Sequence, residues 1–224
     1  MNLTKAEKSF TIIFLAIVLL ELFSSNIKSL LPIHVIAKPL ILLSLIFFFI
    51  NQGKHLSSKT KVITLLALLF SLAGDVLLMF TDISASFFLS GLVAFLLAHI
   101  MYIMVFLDKK NSKKIALIFI TVLLIYAIGI FYLLKDGLGD MLIPVIVYML
   151  VILTMILTST MRKGNVSNKS YNLVFIGAIF FVISDSFLAI NKFYQPVPLS
   201  KIIIMSTYSL AQYLIVLGLL KQNQ

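Results

Sequence analysis

No cysteine occurs in this chain, which excludes disulfides and thiolate metal sites. Histidine is scarce: three in 224 residues, with no pair at the spacing that a zinc helix needs. Neither a GxSxG elbow nor a Gly-rich phosphate loop is present, so the common soluble-hydrolase and nucleotide-binding chemistries are excluded. Charged residues are only 12% of the chain, about half the share of a soluble domain. No stretch shows the alternation of a half-buried strand.

What fills the sequence is apolar: 61% of residues are hydrophobic, in runs long enough to cross a bilayer. Little remains for a soluble domain, so residues 1–224 read as a single transmembrane helical domain, all-α. The formal net charge of +10 would point to nucleic acid in a soluble protein. Here the lysines cluster in short loops, so nucleic acid is not an expected partner; membrane lipids are. The Lys109–Lys114 run needs no more than a loop near anionic lipid. A Lys-, Asn- and Ile-rich composition points to a bacterial inner (plasma) membrane.

Eight spans are predicted: Phe10–Phe23, Leu31–Ile50, Val62–Phe80, Ser86–Leu107, Ile115–Leu134, Met141–Met161, Tyr171–Ile190 and Ser200–Leu220. The first is short and contains Glu21; it reads as an uncleaved span, since no small-residue cleavage site follows. Pro32 and Pro39 are expected in the first turns of the second helix, and Pro144 in that of the sixth, where a missing N–H costs little. The N-terminal tail, the alternate loops that follow it and the C-terminal tail hold thirteen basic residues: Lys5, Lys8, Lys54, Lys59, Lys61, Lys109, Lys110, Lys113, Lys114, Arg162, Lys163, Lys169 and Lys221. The other four loops hold Lys28, Lys135, Lys192 and Lys201, so both termini are expected in the cytoplasm.

Three charges interrupt the apolar runs. Asp75 lies in SLAGDVLLMF and Asp185 in FVISDSFLAI, each five residues before the outer end of its predicted span, roughly 8 Å down. Lys38 lies about 10 Å down from the outer start of its own. All three fall in one layer, and charge at membrane depth is costly enough to imply a function. The matching Asp motifs, four helices apart, are consistent with a parallel 4+4 repeat.

Polar and small residues surround them. Ser71 precedes Asp75 by one turn and Gly74 leaves room beside it; Ser184 and Ser186 flank Asp185, with Gly177 two turns back. Gly91, Phe95, His99 and Tyr102 share a face of the fourth helix, and Tyr208 and Gln212 stand one turn apart on the eighth. His34 and His55 sit near helix ends and read as interfacial. Tyr102, Tyr148, Tyr208 and Tyr213 can be read as packing aromatics whose hydroxyls find local partners. A metal held by Asp75, Asp185 and His99 lacks a second deep histidine, so no metal and no cofactor is expected. On the residues alone, two functions stand level: a membrane-embedded hydrolase using two carboxylates, and a proton-coupled carrier. A helix-locking Asp–Lys pair is a poor explanation, because a buried ion pair stabilises little beyond an apolar isostere.

The runs AKPL (Ala37–Leu40), SLAGDVLLMF (Ser71–Phe80), GLVAFLLAHIMYI (Gly91–Ile103), FVISDSFLAINKF (Phe181–Phe193) and MSTYSLAQYLIVLG (Met205–Gly218), in that order, resemble the YhhN-like lysoplasmalogenase family. The resemblance implies an integral membrane enzyme whose substrate is a lysophospholipid within the bilayer. It would cleave the vinyl-ether bond of lysoplasmalogens to a fatty aldehyde and glycerophosphoethanolamine or glycerophosphocholine. Asp75 and Asp185 match the family's paired acidic residues. Lys38, His99, Tyr102, Tyr208, Gln212, Ser71, Ser184, Asn191 and Lys192 fall in or beside the matching motifs as binding or supporting residues. Vinyl-ether hydrolysis passes through an oxocarbenium ion, so a proton donor beside a fixed negative charge suits it, as in glycosidases.

Overall fold

The computed structural model describes residues 4–110 and 117–222. Lys113, Lys114 and Ile115, which enter the sequence reading, lie outside the described residues. The described residues form eight α-helices: α1 (Lys5–Ser24), α2 (Leu31–Gln52), α3 (Ser58–Leu78), α4 (Ala85–Asp108), α5 (Leu117–Leu134), α6 (Leu142–Thr160), α7 (Asn168–Phe193) and α8 (Ser200–Leu220). Seven are long and apolar enough to cross a membrane; α1 is the exception, since Glu7, Lys8 and Glu21 all lie within it. Large apolar side chains cover the outside, among them Ile12, Phe47, Ile118, Ile128 and Ile143. Such a belt belongs in lipid, where backbone groups must be satisfied inside each helix. The protein is an integral membrane protein.

Local sequence sets the helix starts. Thr4 caps α1 in a capping box with Glu7, and Ser57, Ser84 and Ser167 cap α3, α4 and α7 by accepting from a backbone N–H of the first turn. Pro32 and Pro144 do occupy first turns. Pro39 does not: it lies inside α2, directly after Lys38, where a proline leaves a carbonyl of the preceding turn without its helical donor.

α8 is the central helix, with 61% of its most apolar stretch buried, and α5 the peripheral one, with 6%. The tightest contacts join α3 to α4 and α7 to α8. Both depend on close approach: a Cβ on Gly74 would meet the Phe95 ring at 2.6 Å, and one on Gly177 would meet Ile215 Cγ1 at 2.8 Å. α1 lies against α2 and α8, and α6 against α4 and α7.

Both chain ends meet at one end of the bundle. Glu7 of α1 forms a buried ion pair with Lys221, just past α8, and His55 Nε2 lies 2.9 Å from the Leu220 carbonyl. Arg162 is fully buried there. Its Nη2 donates to Ser170 Oγ at 3.2 Å and to Gln222 Oε1 at 3.3 Å, and its guanidinium faces the Phe106 ring. Burial pushes Arg162 down to about 10, which still leaves it charged at neutral pH. The opposite end holds the last turns of α1, α3 and α7 and the first of α2 and α8, and a cavity opens among them.

Candidate active site

The cavity has a volume of about 490 Å³, within the range of small-ligand sites. Lys38 from α2, Asp75 from α3, and Ser184, Asp185, Asn191 and Lys192 from α7 line it, with Tyr208 from α8. Seven residues singled out in the sequence therefore share one chamber. Lys38, Asp75 and Asp185, expected in one layer, line one cavity, although the helix ends differ from expectation: α3 stops at Leu78 and α7 runs on to Phe193.

Each aspartate is held by a tyrosine from another helix. Tyr208 donates its hydroxyl to Asp75 Oδ2 at 2.8 Å; Tyr148, on α6, donates to Asp185 Oδ2. The Tyr148 hydroxyl thus has a partner, as a hydroxyl at membrane depth must, and that partner is a site carboxylate. His99 lies behind Asp185, with Nε2 at 3.8 Å from Oδ2, and its ring packs edge-on against Tyr148 and Phe181. Phe95 and Phe181 both pack edge-on to Tyr208.

Ser71, Tyr102 and Gln212 stand outside the cavity lining, in the packed interior. Tyr102 donates to Gln212 Oε1 at 2.5 Å, and Gln212 Nε2 donates to Ser71 Oγ at 3.0 Å. Ser71 precedes Asp75 by one turn and Gln212 follows Tyr208 by one turn, so α3 and α8 are joined by two polar rungs. These residues support the site and do not face it. Ser184 Oγ donates to the Ile204 carbonyl at 3.0 Å, and Asn191 Oδ1 accepts from the Val197 backbone at 2.9 Å, fixing the α7–α8 connection.

The cations are unequally engaged. Among the described residues, Lys38, Lys192 and Lys201 form no ion pair with a carboxylate. Lys192 lies over the Phe88 ring, and Lys201 donates to the Ser25 carbonyl at 3.2 Å. Lys201 and Glu21 both line the chamber, and the sequence pattern had assigned neither to it. His34, expected at the interface, also lines it. Among the described residues, no group of three His, Cys, Asp or Glu is placed to hold a metal ion.

A second, smaller pocket adjoins the first. It is almost wholly apolar, lined by Leu92, Val145, Ala189 and Phe193, with Tyr148 and Asp185 at its polar edge. Asp185, Phe95 and Leu188 belong to both spaces. The site therefore joins a chamber carrying cations to an apolar slot, with a carboxylate at the junction.

Lysoplasmalogenase TMEM86B of Sus scrofa is 30% identical over 186 residues, covering 82% of this chain and 74% of that protein. Lysoplasmalogenase TMEM86A of Homo sapiens is 30% identical over 169 residues, covering 75% of this chain and 68% of that protein. No solved structure matches the chain. The YhhN family matches residues 33–219, from the start of α2 almost to the end of α8, and the chain belongs to that family.

Proposed function

We propose that the protein is a lysoplasmalogenase: a membrane-embedded hydrolase that cleaves the vinyl-ether bond of lysoplasmalogens. The products are a fatty aldehyde and glycerophosphoethanolamine or glycerophosphocholine. The observation that carries this reading is the position of Asp185 between a cationic chamber and an apolar slot. A lysoplasmalogen is an amphiphile whose scissile bond lies where its head group meets its chain. Seated with its phosphate toward the lysines and the first carbons of its chain at the slot, it brings that bond to the carboxylates.

In the proposed reaction one aspartic acid, Asp75 or Asp185, protonates the vinyl carbon β to oxygen. The resulting oxocarbenium ion is stabilised by the other, ionised aspartate and by the aromatic faces nearby. Water adds to the cationic carbon and gives its proton to a carboxylate, forming a hemiacetal. The hemiacetal hydroxyl then loses its proton as the bond to the glycerol oxygen breaks and that oxygen is protonated, releasing aldehyde and alcohol. Tyr208 and Tyr148 hold one oxygen of each aspartate and leave the other for this traffic. Lys38 takes the substrate phosphate.

The reading includes one domain over 1–224, with α1 as the eighth span and both termini in the cytoplasm of a bacterial inner membrane. The meeting of the chain ends at Glu7 and Lys221, the lipid-facing apolar stripe of α1 and the thirteen-to-four basic bias support it. The cavity then faces the outer leaflet. The like-for-like packing of α3 on α4 and of α7 on α8 supports a 4+4 repeat. The test is product analysis with protein purified in detergent. Aldehyde and glycerophospho-alcohol in equal amounts are expected. Solute movement in sealed vesicles with no aldehyde in detergent would instead make the protein a carrier.

A further inference from the structure

Besides Asp75, Asp82 and Asp185, the chamber is lined by a carboxylate on α1, Glu21, outside the residues matched by the family. Glu21 has no exposed surface, and neither of its carboxylate oxygens has a hydrogen-bond partner among the described residues. A buried carboxylate without hydrogen bonds is expensive, and pairing it with one cation recovers little net stability. Its partner is His34, whose Nδ1 stands 3.3 Å from Oε1. The two members are not equally placed. The His34 side chain is 19% exposed and that of Glu21 is 0% exposed, so the imidazole faces the chamber and seals the carboxylate behind it.

A carboxylate beside Nδ1 sets the ring's orientation, and the partly exposed remainder of the ring is left for the chamber. Lys38 follows His34 by one turn on the same face of α2. Lys201, tethered to the Ser25 carbonyl at the end of α1, lines the same space. Neither lysine is paired with a carboxylate among the described residues. The chamber brings two lysines without a carboxylate ion pair and an imidazole together with Asp75, Asp82 and Asp185, and an anionic group suits the lysines.

We propose that His34, Lys38 and Lys201 form a phosphate-recognition subsite for the head group of a lysophospholipid, with Glu21 as the positioning residue that holds His34. The proposal rests on the reading of the substrate as a lysophospholipid, but it does not depend on vinyl-ether cleavage. It also gives α1 a functional part: the helix supplies the group that sets one donor.

The test separates binding from chemistry. Binding of a 1-O-alkyl lysophosphatidylcholine, which has no vinyl ether to cleave, is measured in detergent for wild type, E21Q, H34Q and the double variant. A 1-O-alkylglycerol, with the same chain and no phosphate, is measured beside it. Each single variant should weaken the phospholipid about tenfold or more, the size expected for a charge-assisted hydrogen bond, with the alkylglycerol unchanged. The double variant should be no worse than H34Q, because Glu21 acts through His34. With the vinyl-ether substrate the loss should appear in KM, with kcat retained. Equal losses for both lipids, or unchanged phospholipid affinity, overturn the proposal. Inorganic phosphate should compete in wild type and lose that effect in H34Q; phosphate competition without any loss of phospholipid affinity in the variants would assign the site to free phosphate and overturn the head-group role. Should E21Q fail to fold, H34Q alone decides, since its side chain is partly exposed.

Discussion

Tyr208 on α8 donates its hydroxyl to Oδ2 of Asp75 on α3 at 2.8 Å, across 133 positions of sequence. The bond occupies one carboxylate oxygen and fixes the plane of the other. Tyr208→Phe keeps the ring, which packs edge-on to Phe95 and Phe181, and removes only the donor. A hydrogen bond to a charged group is worth about 1.5–3 kcal/mol, so turnover should fall roughly tenfold or more if the charge matters in the transition state. Tyr148→Phe should act in the same way through Asp185. Steady-state kinetics on folded protein checks both. Unchanged turnover in either variant would reduce that hydroxyl to a packing role.

Packing makes a separate prediction. Gly177 lies where α7 crosses α8, and a methyl group there would stand 2.8 Å from Ile215 Cγ1 and 3.0 Å from the Ala211 carbonyl oxygen. The carbonyl cannot give way without moving α8, so Gly177→Ala should cost about 1–3 kcal/mol as overpacking. Gly129, on peripheral α5, has nothing within 4 Å of the same methyl position. Gly129→Ala should leave stability unchanged or slightly raised. Thermal unfolding in detergent compares the two. A destabilised Gly129→Ala beside a neutral Gly177→Ala would contradict the helix contacts described above.

How far the sequence reveals this depends on the range of each interaction. Helices are legible because a membrane span is a local property, about 20 apolar residues in a row. Asp75, Asp185 and Lys38 are legible because each is a local exception to that rule. Tyr148 and Glu21 are not. A tyrosine in an apolar helix carries no mark of whether its hydroxyl meets a carboxylate 37 positions away, as that of Tyr148 does. Glu21 counts against its helix as a span, and only the crossing of α1 with α2 turns it toward His34. Pro39 is a different case: the predicted span already starts at Leu31, which places Pro39 in the third turn and not the first, as the structure has it.

Lys38 lines the chamber with both aspartates and forms an ion pair with neither, so its charge is open to a substrate phosphate. Lys38→Met removes the charge at similar volume. Activity at fixed, subsaturating substrate should fall to less than about a tenth, the loss of one charge-assisted contact. The loss should lie mainly in KM. Near-normal activity in a variant that purifies as a folded particle would make Lys38 structural.

The two aspartates bear the strongest expectation. Asp75 is buried and Asp185 nearly so, each with one oxygen engaged by a tyrosine, so substituting asparagine preserves shape and keeps one acceptor. What asparagine cannot supply is a transferable proton or a negative charge. General acid–base catalysis contributes about 10²–10⁴-fold, and electrostatic stabilisation of a developing cation can add a comparable factor. Asp75→Asn and Asp185→Asn should therefore each lose at least about 100-fold in turnover. If the two act as one unit, the double variant should be little worse than either single one, because the second removal takes away a function already lost. A purely structural pair behaves differently: the variants would bind and cleave substrate but unfold at lower temperature. Turnover and thermal unfolding measured on the same preparations separate these outcomes. Either asparagine variant retaining more than about a third of wild-type turnover would end the two-carboxylate mechanism, since no general acid contributes so little.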